Sequence, residues 1–403
     1  MAAVFGLLVV ASAALHLQVI ATSTGVSYDI QSYAIQAATT LHHQNVYDVT
    51  TRYPYPPVWI WIVALMQVLA TATQLPFGAV VELPALLGDL ALMSLIYRYA
   101  QRRFGPSLYA LLPAALFGLN PVTLLVSAGH GQFDSLVLFF LLLAAYLRAP
   151  TPDLPPDRKS NFRQGHALWS ACALGVAVAL KGYPILYAPY LVASAPKGRR
   201  IASALLVLAP LVISGVIYSL MFGFSSQMLP NILQYSSTYD AGWGFVLLRV
   251  DPTISMATLK LLSGIAKVTL MLCALDVPFV VARRAPAKAA LLIFATFSAT
   301  TVAMSVQYVL WILPFLCLVA PWWVIPYSAA ALAALVPFYL RVFPGALPAG
   351  PGWSALFAPF SSHRTIGVAS IIAISALLTV SLLARAWKTR RDGGSPADAP
   401  QVE

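Results

Sequence analysis

Apolar runs of about 20 residues, the length a helix needs to cross a ~30 Å hydrocarbon core, recur from one end of this chain to the other. No other feature constrains its fold as strongly. The runs fall near residues 3–22, 57–73, 78–97, 109–128, 134–148, 167–180, 183–195, 201–222, 254–282, 288–304, 308–320, 322–340 and 365–386. Of the 403 residues, 60% are hydrophobic and only 9% charged, against roughly 25% charged in a soluble domain. A water-soluble globule, a Rossmann-type sheet and a disulfide-stapled scaffold are thereby excluded as the main architecture. The expected fold class is all-α: a polytopic membrane helix bundle of about 12 transmembrane helices plus an interfacial or partial helix in the first outer loop.

The net charge of +11 would suggest nucleic acid in a soluble protein. Here the basic residues sit in short clusters between apolar runs, at 97–103, 157–163, 197–200, 283–288 and 384–391. That is the positive-inside pattern, so the clusters are expected in the cytoplasm and no nucleic-acid partner is expected. The connections at 129–133, 223–253, 305–307 and 341–364 then open on the outer face. Residues 3–22 lack a basic leading segment and are long enough to span, which reads as an uncleaved first helix. Run 57–73 follows YPYPP and precedes a loop with no basic residue; it is expected to dip into the membrane from outside without crossing. One domain spans 1–386, with an ordinary cytoplasmic loop at 149–166 and a short disordered cytoplasmic tail at 387–403. Cys172, Cys273 and Cys317 lie in apolar stretches without CxxC or metal spacing, so neither a metal site nor a cofactor is expected.

With so few charges, an ionisable residue in or beside a span is a candidate site, because burying it unpaired costs several kcal/mol. The first outer segment, TGVSYDIQSYAIQAATTLHH, reads as an amphipathic interfacial helix with Ile30, Ala34, Ala37, Ala38 and Leu41 on one face. Asp29 precedes it at the N-cap position, where a carboxylate also serves purely structural ends. In LNPVTLLVSAGHGQFD, Asn120 and Pro121 interrupt a helix, and His130, Gln132 and Asp134 meet at the outer boundary. They can face a hydrophilic sugar; Asp134 can equally cap the next helix. Lys181, in ALKGYPILYAP, either snorkels to the headgroups or holds a phosphate. SVQYVLWILPF offers Gln307, Tyr308 and Trp311 as ligands or as interfacial anchors. The long outer loop carries Tyr235, Tyr239, Asp240, Trp243, Arg249 and Asp251, a set able to stack on sugar rings or to pack as a lid.

Taken in order, SYDIQSY, NVYDVTTRYPYPPV, GDLALMSLIYR, LNPVTLLVSAGHGQFD, ALKGYPILYAP and SVQYVLWILPF resemble the GT-C superfamily of integral-membrane glycosyltransferases, which use polyprenyl-phosphate sugars. Within it the chain is most similar to the GPI mannosyltransferases and related bacterial polyprenyl-phosphate-mannose-dependent transferases. The likeness covers most of residues 1–320. It implies that Asp29 is the catalytic carboxylate and that the first loop faces outward. The GPI-type motif carries a second Asp two positions on, where this chain has Gln31; that departure removes a paired-carboxylate metal site.

The resemblance implies a hexosyltransferase, with mannose the expected sugar. It would work at the extracytoplasmic face of a bacterial plasma membrane, among membrane lipids. The donor is a polyprenyl-phosphate sugar and the acceptor a hydroxyl on a glycan, lipid or protein. Asp29 is the expected base. Lys181 is the first candidate for the donor phosphate, with Arg341, Arg364 and Arg249 behind it, and His130, Gln132, Asp134, Gln307 and Tyr308 complete the substrate-binding set. Because a phosphate leaves, positioning and charge neutralisation suffice without metal, and a single displacement with inversion is expected. The alternative is a transporter or flippase for a lipid-linked sugar, with Asp29, Asp134 and Lys181 along its path. Transporters show repeats and mid-membrane breaks, whereas here the polar residues gather at one face and no repeat is visible.

Overall fold

The computed structural model describes residues 1–23, 27–149, 156–233, 235, 237–343 and 345–391. Among them there is no strand, only one isolated bridge between Ala241 and Met304. In hydrocarbon every backbone N–H and C=O needs an internal partner, and helices supply one within a single segment. The helices that matter here are α1 (Ala2–Thr22), α2 (Tyr28–Leu41), α3 (Val58–Thr73), α4 (Leu83–Phe104), α5 (Leu108–Gly118), α6 (Asp134–Arg148), α7 (Pro156–Leu180), α8 (Arg200–Phe222), α9 (Gly242–Val250), α10 (Met256–Val280), α11 (Pro286–Thr300), α12 (Leu313–Val319), α13 (Val324–Val342) and α14 (Arg364–Arg391). Among the described residues seven helical stretches are long and apolar enough to cross a membrane, and α3, α11, the His166–Leu180 part of α7 and the Val306–Val319 stretch are shorter apolar helices. The protein is an all-α, multi-pass membrane bundle.

Burial divides the helices into a centre and a rim. The stretches containing α4, α5 and α13 are mostly buried, whereas α1, α8 and α10 are 17% buried and turn side chains such as Leu7, Leu220 and Leu261 outward. Helix α1 inverts the pattern of a soluble helix, for its buried residues are Ser12, His16 and Val19. Lipid solvates the leucines, so the polar groups must turn inward. Helices α4 and α6 pack closely at Gly88, where a Cβ would lie 2.6 Å from the Leu136 amide nitrogen.

Arg102 and Arg148, at the far ends of α4 and α6, lie at the end of the bundle opposite Asp29. Arg102 donates to the Tyr146 carbonyl at 2.7 Å and Arg148 to that of Ser194. Near the start of helix α3, Trp59 stacks on Phe133 at 3.9 Å, and Gly78, in the segment that follows the helix, lies against Ile30 of α2. At 16 residues α3 is one of the shorter apolar helices.

Two boundaries and one helix face differ from the sequence reading. Helix α7 begins at Pro156, inside the segment expected to be a loop. Helix α14 continues to Arg391, past the expected start of the tail; residues 392–403 lie outside the described residues. The buried face of α2 comprises Ile30, Tyr33, Gln36, Ala37 and Thr40, whereas Ala38 and Leu41 are exposed. An aromatic wall of protein, Trp59 and Phe133, meets α2 through Tyr33, so the helix is oriented by ring contacts and not by lipid.

Candidate functional site

Ser27, not Asp29, caps α2. Its hydroxyl accepts from the Ile30 amide at 3.1 Å and donates to the His130 carbonyl at 2.8 Å, which fastens the helix start to the 129–133 turn. Asp29 is thereby freed from capping and lies in the first helical turn, where a carboxylate is favoured by the helix dipole. Its side chain is 22% exposed.

The turn is built by an interruption. Asn120 caps Pro121–Leu124, accepting from the Val122 amide at 3.0 Å. A π-helical turn over Leu125–Gly129 follows, a form often found at functional sites. Gly131 has φ +75°, and a Cβ there would lie 2.8 Å from Ile30. That close approach of α2 to the turn brings two donors onto one oxygen of Asp29: His130 Nε2 at 2.7 Å and Gln132 Nε2 at 2.5 Å. Oδ1 receives no hydrogen bond from the described residues. With Asp29 ionised, His130 Nε2–H is the donor, and His130 Nδ1 lies 2.9 Å from the Tyr339 hydroxyl. Burial works against ionisation of Asp29. The hydrogen bond and charge of His130, the charge of Lys181 and the Gln132 amide outweigh it, and the carboxyl is held below its ordinary 3.8.

Asp134 is the first residue of α6, but its carboxylate turns away from the helix end. It accepts from Lys181 Nζ at 3.1 and 2.9 Å and from the Trp311 indole at 2.7 Å. Lys181 also donates to Gln132 Oε1 at 3.4 Å, and its ammonium lies 4.9 Å from the Tyr55 ring centre and 5.0 Å from that of Phe133. Lys181 is buried to 3%, which is not the position of a snorkelling lysine. Asp29, His130, Gln132, Lys181 and Asp134 thus form one connected network. Tyr308 stacks on Trp311 at 4.1 Å, and Gln307 is buried beside it in sequence. Tyr235, from the long loop, reaches the same region: burial, and after it the charge of Asp29, push its phenol above the ordinary value, while hydrogen bonds to Tyr308, Ser305 and Ser237 pull the other way.

Arg341 and Arg364 are not brought to Asp29. Pro337 and Arg341 lie one turn apart on one face of α13 and line a pocket of about 420 Å³ with Arg249, His363 and Arg364. Tyr339 lies between them in sequence and therefore points to the opposite face, where it meets His130.

One feature was missed by reading the sequence. His16 of α1 and Asp89 of α4 form a fully buried pair at 2.9 Å; Asp89 also accepts from Ser135, which lies 2.8 Å from Ser127. A lone histidine and a lone aspartate inside apolar runs were the available signal. Glu82, an outer-face ionisable residue by its place in the sequence, is 4% exposed and lies near Gly131. Among the described residues no three His, Cys, Asp or Glu side chains converge as metal ligands.

Asp29 is thus a 22% exposed carboxylate with one oxygen held by two donors and the other receiving no hydrogen bond from the described residues. Residues 53–306 match the model of glycosyltransferase family 87. The chain belongs to that family. No curated protein sequence matches it. Family 87 membership makes the protein a membrane glycosyltransferase with donor and acceptor substrates. The matched stretch contains His130, Gln132, Asp134 and Lys181, and begins downstream of Asp29.

Proposed function

We propose that the protein transfers a hexose, mannose by its resemblance to the GT-C mannosyltransferases, from a polyprenyl-phosphate sugar to an acceptor hydroxyl at the extracytoplasmic face, with Asp29 as base. The observation that carries this reading is the Asp29 carboxylate, 22% exposed and oriented through a single oxygen by His130 and Gln132. Its other oxygen takes the proton from the acceptor hydroxyl. The acceptor oxygen attacks the anomeric carbon as the bond from that carbon to the phosphate oxygen breaks, and the polyprenyl phosphate leaves with the electron pair. One displacement inverts the anomeric centre.

In this reading the donor phosphate enters on the Lys181 side, beside Tyr308 and Gln307. Lys181 already bears on the charge of Asp29. The position of Arg102 and Arg148 at the end of the bundle opposite Asp29 supports an extracytoplasmic site under the positive-inside rule.

The test is direct. Purified protein is incubated with a panel of polyprenyl-phosphate sugars and membrane extract, and products are identified by mass spectrometry. The reading requires a new glycoside of inverted configuration, formed by the wild type and not by Asp29→Asn. Turnover by Asp29→Asn at the wild-type rate removes the base assignment, and movement of the labelled lipid across vesicles without bond cleavage favours a transporter.

A further inference from the structure

The pocket on the far face of α13 has a composition unlike the rest of the surface. Three guanidiniums, Arg249, Arg341 and Arg364, converge on it with His363. One carboxylate answers them: Asp240, whose Oδ1 lies 3.7 Å from Arg364. Among the described residues Arg249 and Arg341 form no ion pair. Like charges gathered at this density repel unless an anion enters between them. Arginine's planar fork, joined here by the Ser361 and Ser362 hydroxyls, suits a phosphate oxygen better than a lone lysine would.

Depth and surroundings narrow the ligand. Arg341 lies in the last turn of α13 and Arg364 is the first residue of α14, so the cations stand where the hydrocarbon begins. Immediately along the helices the surface is apolar and open: Ile366 is 63% exposed, Leu340 50% and Val342 44%. A charged head at the pocket with acyl chains down this flank satisfies both surfaces at once. A free inorganic phosphate would leave the apolar flank unused.

The same geometry argues against the reacting phosphate of a sugar donor. That phosphate is one oxygen away from the anomeric carbon. The carbon must be about 3–3.5 Å from the acceptor oxygen, which must be about 2.6–3.2 Å from the base. Helix α13, about 10–12 Å across with its side chains, stands between the pocket face and the Tyr339 face that meets His130 and, through it, Asp29.

We propose that the Arg249–Arg341–His363–Arg364 pocket binds the phosphate headgroup of an anionic phospholipid from the leaflet at the Asp29 end of the bundle, at a site separate from the reaction centre. The inference does not depend on what reaction Asp29 performs.

The test uses the full-length protein in detergent, titrated by native mass spectrometry with phosphatidylglycerol and phosphatidylcholine of identical acyl chains. The wild type should bind phosphatidylglycerol roughly 10- to 30-fold more tightly, the effect of two or so arginines at a membrane surface. R249Q/R341Q should lose that preference, R249K/R341K should keep most of it, and Asp29→Asn should bind as the wild type does. Equal binding of the two lipids by the wild type overturns the proposal without recourse to any variant, as does an undiminished preference in R249Q/R341Q. A farnesyl monophosphate arm identifies the other source of the same chemistry. If R249Q/R341Q loses farnesyl phosphate while keeping phosphatidylglycerol, the pocket serves the donor and the proposal fails. No sugar is present, so a negative result leaves the glycosyltransferase reading untouched.

Discussion

Two histidine–aspartate pairs stand within one bundle. His130 and Asp29 meet at 2.7 Å with 4% and 22% of their side chains exposed, and His16 and Asp89 meet at 2.9 Å with both fully buried. Residue types and spacing are nearly the same; access and remaining valence differ. Asp29 spends one oxygen on its two donors, and the other receives no hydrogen bond from the described residues. Asp89 divides its two between His16 and Ser135 and keeps none. The inner pair ties α1 and α4 to the start of α6, whose adjacent residue is Asp134. It is a positioning element in hydrocarbon, where an uncompensated charge is costly. A carboxylate–imidazole pair becomes a candidate site only where an oxygen is left over and a substrate can reach it.

That contrast can be broken first at its two acids. Asp29→Asn should lower turnover by about 10²- to 10⁴-fold, the worth of a positioned general base, with little change in the thermal midpoint; a product assay and a detergent melt on one sample measure both. Asp89→Ala should do the opposite. Leaving His16 without its partner should cost about 3–5 kcal/mol of stability, seen as reduced folded yield, while the surviving fraction turns over normally. The double variant His16→Leu/Asp89→Leu should regain most of the loss, since an apolar pair can replace a buried ionic one. A stable Asp89→Ala protein with no activity would mean that the inner pair takes part in the reaction.

The Lys181–Asp134 pair sharpens the comparison, because it is buried like the inner pair yet attached to the outer one. Lys181→Met alone should destabilise by about 3 kcal/mol or more, by stranding Asp134. Lys181→Met/Asp134→Leu should restore folding. If Lys181 also meets the donor phosphate, the double variant stays tenfold or more below wild type in kcat/KM with a raised KM for donor; recovery of activity along with stability would leave Lys181 a purely structural partner.

The smallest effect concerns pH. The Asp29 carboxyl is held below 3.8 chiefly by His130, against its own burial, so it stays ionised as pH falls through the ordinary carboxylate range. Its stabilising interaction is present above the unfolded pKa and is lost only as pH drops through the depressed folded one. His130→Ala removes that support, so the acid limb of the pH–rate profile should move to higher pH while the rate at pH 8 falls about tenfold or less. An unmoved limb would separate the titrating group from Asp29.

How much of this was legible in the sequence depended on the range of the interactions. Helix α2, the break at Asn120 and Pro121, and the short apolar helix α3 follow from local pattern. Asp29, His130, Gln132, Asp134 and Lys181 were picked as polar residues at the ends of spans, and the bundle joins them in one network. Which residue holds which was not legible. His130 and Asp29 are 101 positions apart, and nothing along the chain distinguishes Asp134 as Lys181's counter-ion from Asp134 as a helix cap. Capping fell to Ser27 because its hydroxyl could serve the helix and the 129–133 turn together.

The sequence by itself determined a multi-pass helical bundle, because hydrocarbon leaves a backbone few other ways to satisfy its hydrogen bonds and because too few charges exist to solvate anything else. Only the tertiary structure decided which carboxylate has an oxygen that no described residue engages and which arginines stand apart from it. A side chain's remaining valence and its exposure depend on neighbours that helix packing brings from distant parts of the chain.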